Sequence, residues 1–390
     1  MNLTLPNNVL KMKNVVRNIV RNQVIILEPH YLNPDNSSKI GNLSHKTLNE
    51  LKTLSMNTGV YKAHLPKQFG GLGMGALGAA VIDEETAKSI VRLPVCHIPN
   101  ILIENSTDMQ IAKYVKPYLN GNINACFAQT ELNAGSDMGN MMSTLAIQDG
   151  DYWILNGTKA YISGAGTADF MMMQAVTNPQ KMADGGITMF LVDRDQPGVT
   201  TAPLQTWITP NGTNYFVYLK DVRIHSNQIL GNLGNGYPLG QRWLDFHDRI
   251  LKCSTIIGIL SRSLEMAISF VNNKTIPSLL SNDQNIPTSL SDIYITITVL
   301  RNLMYDVALS YDKSENIDTS ASMLKLCAAE WGWECIDKIM QLFGHTAERF
   351  DSPISHWYHI LRHARIGGGT SEMMRIKIAE FLLKSKGSDN

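Results

Sequence analysis

The 390-residue sequence predicts an α+β, multidomain chain: a helical part over residues 1–123, a β part over 124–235 and a helical bundle over 236–390. Apolar residues recur at helical spacing through the first third, give way to short turn-separated strands in the middle, and return to helical spacing for the rest. The length exceeds what one hydrophobic core usually organises, so more than one subdomain is expected.

In the first part, Val15, Val16, Ile19 and Val20, then Leu48, Leu51 and Leu54, mark helices separated by the turn LNPDNSSK. The loop HLPKQFGGLGMG follows, and helices resume in ALGAAVIDEETAKSI and STDMQIAKYVKPYL. From Ala125 the runs TLAIQDGDYWILNGTKAYISGA, DFMMMQAVT, ITMFLVD, TTAPLQTWI and TNYFVYLKDVRI read as strands between Gly, Asn, Asp and Pro turns. The Asn-Gly pair inside YWILNGTKAYI, between two apolar runs, signals a hairpin. After GNLGNGYPLG the chain reads as long helices to its end, for which an antiparallel bundle is the natural packing.

Composition removes several function classes. Lys plus Arg (34) equals Asp plus Glu (34), so there is no general attraction to nucleic acid or to anionic lipid. Cys96, Cys126, Cys253, Cys327 and Cys335 are scattered without CxxC or zinc spacing, which favours a reducing compartment and no metal. The N-terminal stretch MNLTLPNNVLKMKNVVRNIVRNQVIIL threads Lys and Arg through its apolar positions, and reads as neither signal peptide nor membrane anchor. A soluble cytoplasmic protein is expected.

Two polar stretches carry candidate chemistry. CFAQTELNAGSD places hydroxyls and backbone N–H groups on a loop after an apolar strand, where they could face a flat heterocycle or an anion. It reads equally as a strand end with an Asx-type turn, Ser136 and Asp137 capping the next segment. In AYISGAG, Tyr161 could stack on a ring or fill a core.

Taken in order with LPKQFGGLGMG, LNGTKAYISGAGTADF, FLVDRDQPGV, DVRI, LGNLGNGY, SMLKLCAAEWGWECIDKIMQLFG and ARIGGGTSEMMRIKIAEFLL, these stretches resemble the acyl-CoA dehydrogenase family over nearly the whole chain. The resemblance implies a helical domain, a β-barrel-like domain and a four-helix bundle, with FAD lying between barrel, bundle and a neighbouring subunit. It implies that Phe127, Thr130, Gly135, Ser136, Tyr161, Ser163, Gln341, Gly344, Thr370 and Glu372 bind the cofactor. Thr130 would lie near the flavin pyrimidine and Ser136 near the flavin or the thioester arm. Tyr161 stands where the family often has a Trp, and Ser163 where it has a Thr bonding toward flavin N5. Donors there stabilise the charge that develops as the ring is reduced.

Removing the α-proton of a thioester while hydride leaves the β-carbon requires a carboxylate base. Many members carry it as a Glu directly before the Gly-Thr of the C-terminal motif; here that position is Gly368. A minority, including isovaleryl-CoA dehydrogenase, carries it just before an Arg on the first long helix after the barrel, and crotonobetainyl-CoA reductases look similar there. In WLDFHDRIL this makes Asp248 the expected base, with Ser136, Arg249 and Gly368 lining the substrate and the adjacent His247 a lesser candidate. Partial burial is expected to raise the Asp248 pKa, opposed by Arg249 if the two pair. An ordinary solvated or Arg-paired helical acid is the alternative.

The chain departs from the family along the dinucleotide. Where the family places an Arg and Phe-Gly for the pyrophosphate, aligned on Gln284, this sequence has Asn273, Ile276 and Pro277, with Lys274 the nearby cation. His345 replaces a glycine near the adenosine, and WITPNGTNY lacks the usual Arg and Ser/Thr pattern. The implied function is FAD-dependent α,β-dehydrogenation, or the reverse reduction, of an acyl thioester on CoA or on an acyl carrier protein. Electron-transfer flavoprotein is the implied redox partner and a homodimer or homotetramer the implied assembly. The alternative is a flavin-poor relative with a binding, assembly or non-redox thioester role.

Overall fold

The computed structural model of the chain describes residues 5–32, 43–206, 213–273 and 285–385. Most of the turn LNPDNSSK, the first six residues of WITPNGTNY, and Lys274, Ile276, Pro277 and Gln284 lie outside the described residues. Two compact units emerge: residues Met1–Val95 together with Asp245–Asn390, and residues Cys96–Leu244. Secondary structure changes near residues 123 and 235, but Val9 and the helix Gly75–Thr86 join the core of the C-terminal bundle, while Met12, Val16, Ile19 and Leu51 pack in a separate N-terminal cluster.

The reason lies in the helix Gly75–Thr86, which is buried on every side from Ala76 onward. It lies against the helix Lys252–Asn272 at Gly258, where a Cβ would collide with the carbonyl oxygen of Glu84. Its three acids are buried and each is paired, as burial of charge requires. Asp83 takes Arg92 at 2.5 Å and the Thr255 hydroxyl at 2.7 Å. Glu84 takes Arg301 at 2.9 Å, and Glu85 takes Arg17 and Lys88, each at 2.9 Å. The N-terminus of the same helix is capped by Asp312, whose carboxylate accepts from the N–H groups of Ala76 (2.6 Å) and Leu77 (3.1 Å). The helices Asn285–Asp312, Asp318–Phe343, Pro353–Ala364 and Ser371–Ser385 complete this unit. Ile257, Leu260, Leu300, Met304, Leu324, Ile336, Trp357 and Leu361 form its buried centre.

The second unit is built on a seven-stranded sheet: β1 (Ala125–Ala128), β2 (Leu145–Asp149), β3 (Tyr152–Ser163), β4 (Phe170–Val176), β5 (Ile187–Asp193), β6 (Val199–Pro203) and β7 (Asn214–His225). Their order is β1-β4-β2-β3-β7-β6, with β5 on β4. β4 is buried along its whole length and β5 along all but its last residue, which is why both read as nearly continuous apolar runs, broken inside by the buried Gln174 and Thr188.

One expectation fails here. Asn156-Gly157 is not a hairpin turn: Tyr152–Ser163 is one strand, and the hairpin is β2–β3, closed by Gly150 and Asp151. Gly157 instead sits in a bulge opposite β7, at φ 154°, where a Cβ would strike Thr144. Asn156 closes the bulge by donating to the Asp221 carboxylate at 3.1 Å and accepting from the Asp221 N–H at 2.8 Å. The tertiary partner across the sheet overrides the local turn signal.

The helix Gly236–Asn272, counted through its π-helical turn, is long and apolar enough to cross a membrane by length and composition, and half of its apolar window is buried inside the fold.

Candidate active site

The second unit brings the two polar stretches together through one buried ion pair. Glu131, 4% exposed, accepts from the N–H and hydroxyl of Ser143 (2.7 and 2.5 Å), from those of Thr144 (3.0 and 2.6 Å), and from the Lys159 ammonium at 2.9 Å. Lys159 also donates to the Gln129 carbonyl at 3.0 Å, and the Ala160 N–H donates to the Thr130 carbonyl at 2.9 Å. Burial works to raise the Glu131 pKa, but the Lys159 charge and the hydroxyl donors outweigh it and hold it at about 2. Burial pulls Lys159 down to about 8, so it is still protonated at neutral pH. The acid of AQTELNAGSD and the lysine of TKAYIS are therefore scaffold: they fix the two loops against each other.

On that scaffold the chain turns Tyr161 outward. A second irregularity between Lys159 and Ile162 puts Tyr161 at φ 60°, a left-handed conformation that is uncommon for a bulky residue, and leaves it half exposed. Ser163 donates to the Asn214 side-chain oxygen at 2.8 Å. Phe127, at the end of β1, stacks on Trp243 with centroids 4.3 Å apart. Gly135 and Ser136 are exposed, with nothing within 4 Å of where a Gly135 Cβ would be. Asp137 precedes the short helix Met138–Met141 without capping it through its side chain. The hydroxyls of Thr130 and Ser136 enter no hydrogen bond among the described residues, and Gln129 holds a buried side-chain N–H group without a partner among them. An exposed aromatic, open glycine positions and uncommitted donors on one rigid loop pair fit a flat, acceptor-rich ring such as a flavin.

The first unit carries the acid. Residues Asp245–Leu251 form a π-helical turn ahead of the helix Lys252–Asn272, a local widening of the kind that often marks functional positions. Within it Arg249, 2% exposed, pairs with Asp245 and leaves its Nε without a hydrogen-bond partner among the described residues. Asp248 pairs instead with Lys252, Oδ1 to Nζ 2.8 Å. A Cβ placed on Gly368 would lie 2.5 Å from the Asp248 Cβ, 2.8 Å from its Cγ and 3.1 Å from its Oδ2. The Asp248 side chain thus fills the space that a side chain at 368 would need.

The expected upward shift of Asp248 is reversed. Burial pushes its pKa up, but the Lys252 ammonium, through charge and hydrogen bond, with His247 and Lys325 behind it, brings it below the ordinary carboxylate value. Around it, burial together with Lys252 holds His363 down at about 4, and burial with the same lysine lowers Lys325 to about 8. The His363 Nε2 and the Lys252 Nζ crowd Gly367, at 2.6 and 3.2 Å from where its Cβ would be.

The glycine loop is clamped at both ends by one helix. Lys325 donates to the Gly369 carbonyl. Five residues on, Glu330 takes Arg365 in a two-pronged pair (2.8 and 3.0 Å) and the Ser371 hydroxyl at 2.5 Å. Gly368 and Gly369 run at φ 72° and 96°, conformations open to glycine. Thr370 caps the following helix, accepting from the Met373 N–H at 3.2 Å, and Glu372 is exposed in its first turn. Gln341 stands near the far end of the clamping helix, sixteen residues past Lys325 or about 24 Å along the axis, and Gly344 is the residue just beyond its end. Asn273 ends the helix Lys252–Asn272, and His345 is exposed in the turn Gly344–Thr346.

Sequence reasoning passed over Lys252, Lys325, His363, Lys159, Gln129 and Glu330. Only Lys252 had a local signal, four residues after Asp248 on a helix. The others act on partners brought close by folding.

Comparison with known proteins identifies the family. Residues 126–222 match the acyl-CoA dehydrogenase middle domain and residues 234–383 the acyl-CoA dehydrogenase C-terminal domain. A 3-(aryl)acrylate reductase of Clostridium sporogenes is 31% identical over 342 residues, 86% of this chain and 90% of that protein. The mitochondrial short-chain specific acyl-CoA dehydrogenase of Rattus norvegicus is 29% identical over 349 residues, 87% of this chain and 82% of that protein. In fold, butyryl-CoA dehydrogenase from Megasphaera elsdenii superposes with a TM-score of 0.86 at 22% identity, covering 98% of this chain and 100% of that one. With both domains matched in order and a relative of this identity along most of its length, the chain belongs to the acyl-CoA dehydrogenase family.

Proposed function

We propose that the chain is an FAD-dependent oxidoreductase acting on the Cα–Cβ bond of an acyl thioester, carried on CoA or on an acyl carrier protein, in the dehydrogenating or the reducing direction. The observation that carries this reading is the Asp248 carboxylate standing where a side chain at Gly368 would be. The carboxylate that many members place on the glycine loop is supplied here from the π-helical turn.

What FAD supplies when bound is the two-electron acceptor for hydride leaving the β-carbon, or the donor in reverse. Thr130, Ser136 and Ser163 would hold its ring, with Phe127, Gly135 and Tyr161 beside it, and Gln341, Gly344, Thr370 and Glu372 would meet the rest of the cofactor. Asp248 accepts the α-proton as the α C–H bond breaks, and returns it in the reducing direction. Arg249, with a buried N–H uncommitted among the described residues, would be a donor to the substrate, and so would the exposed Ser136. The likeness to a 3-(aryl)acrylate reductase supports examining reduction alongside oxidation. Electron-transfer flavoprotein as redox partner, a homodimer or homotetramer as assembly and the cytoplasm as location complete the proposal; neither nucleic acid nor membrane is a partner in it.

The test is spectroscopic. Purified protein, with and without added FAD, is expected to show bound flavin with two visible bands. Under anaerobic conditions a panel of short, branched and aryl acyl thioesters should bleach it, or the unsaturated thioesters should reoxidise the reduced form. Failure to bind flavin after incubation with excess FAD contradicts the redox reading and favours a binding or non-redox role.

A further inference from the structure

We propose that Lys252 is a positioning residue for proton transfer: its ammonium engages one oxygen of Asp248 and presents the other, in ionised form, to the glycine loop. The inference rests on the reading of Asp248 as the base and adds what makes that base competent.

The two oxygens of Asp248 are unequal. Lys252 holds Oδ1 at 2.8 Å, one helical turn further on, while Oδ2 is the oxygen nearest the space above Gly368. A carboxylate on a short side chain has two torsions to fix, and a charge-assisted bond to one oxygen orients the second. The Lys252 Nζ lies 3.2 Å from the position a Gly367 Cβ would take, so a side chain at 367 would crowd it. The same glycine run that removes the acid at 368 therefore makes room for the lysine that serves the acid at 248.

Charge balance supports the assignment. The groups that bear on Asp248 are His247 and Lys252 on its own helix and Lys325 from the helix Asp318–Phe343, and His363 reaches the cluster from the helix Pro353–Ala364. Arg249, next in sequence, is committed to Asp245. Of these, Lys252 is the cation in direct contact. In the step itself the α C–H bond breaks, its proton passes to Asp248 Oδ2, its electron pair enters the Cα=Cβ bond that forms as hydride leaves the β-carbon for the two-electron acceptor FAD would supply, and the lysine keeps all its protons. Both states of the carboxyl group retain the Oδ1 contact.

Lys252→Met removes the charge and keeps the length; Lys252→Arg keeps the charge. Two readouts on the holoenzyme decide the matter. The first is the Asp248 carboxyl band in infrared difference spectra against Asp248→Asn, followed through pH. Lys252→Met should move its titration upward by at least one pH unit, and Lys252→Arg should restore it to within a few tenths. The second is anaerobic flavin reduction by thioester: Lys252→Met should lower the rate constant tenfold or more near neutral pH with the half-saturating concentration within about twofold, and shift the acid limb of the profile upward. An unmoved titration in Lys252→Met overturns the proposal, and so does a loss that Lys252→Arg fails to reverse. If Asp248→Asn reduces flavin as fast as wild type, the base assignment fails; the infrared titration still decides whether Lys252 governs the carboxylate.

Discussion

At the level of single residues, Glu131 and Asp248 show how differently two acids in polar motifs are used. Glu131 lies between Thr130 and the loop to Ser136, in the most chemistry-rich stretch of the sequence, yet five donors hold it inside the fold. Its folded pKa, about 2, lies below the ordinary value of 4.5, so it contributes stability present above pH 4.5 and lost as pH falls toward 2. Glu131→Gln leaves Lys159 buried without its charge partner and is expected to cost about 3–5 kcal/mol at neutral pH. Denaturant unfolding across pH 2–7 should show the variant less stable at pH 7 and with a smaller acid-side loss than wild type, the remainder coming from other paired acids such as Glu85 and Glu330. Asp248 was singled out through the family resemblance, by its place before Arg249; the cation it pairs with is not that Arg249 but Lys252. Arg249 pairs with Asp245 and Lys252 with Asp248, each at the four-residue spacing of a helix, so the acid before Arg249 takes its cation from the next turn.

Among elements, the glycine loop is where neighbouring positions compete for one space. Gly368 carries a left-handed φ of 72°, and its missing side chain is replaced by Asp248. Gly368→Glu therefore meets two penalties, the conformation, about 1–2 kcal/mol, and the collision with Asp248. Thermal melts should place Gly368→Glu well below wild type, and the pair Gly368→Glu with Asp248→Gly above the single variant, with a coupling of about 0.5–3 kcal/mol. Additive losses would show that the two side chains do not share a space. A comparable test addresses the crossing at Gly258: Gly258→Ala must push Glu84 and its helix away, with an expected loss of about 1–3 kcal/mol in chemical denaturation. The strands themselves were readable because β4 and β5 are nearly continuous apolar runs, whereas Asn156-Gly157 carried a hairpin signal and became a bulge. Asp221, 65 residues away, supplies the partner that decided it, and nothing local announces such a partner.

For the whole molecule, helix, strand and bundle were legible in order because each rests on local periodicity, while the grouping into two compact units rests on pairs such as Glu84 with Arg301 and Asp312 with Ala76, more than 200 residues apart. The two polar stretches of the second unit were legible as motifs; the cluster of Lys252, Lys325 and His363 around Asp248 was assembled by three helices and was not. The central claim is that Asp248 performs the proton transfer of a flavin-dependent acyl thioester oxidoreductase. Its most direct measurement is anaerobic stopped-flow reduction of the bound flavin by a bleaching acyl thioester, wild type beside Asp248→Asn, with FAD content equal in both. The account predicts a rate for Asp248→Asn lower by about 10² to 10⁴. Equal bleaching rates in the two proteins would contradict it.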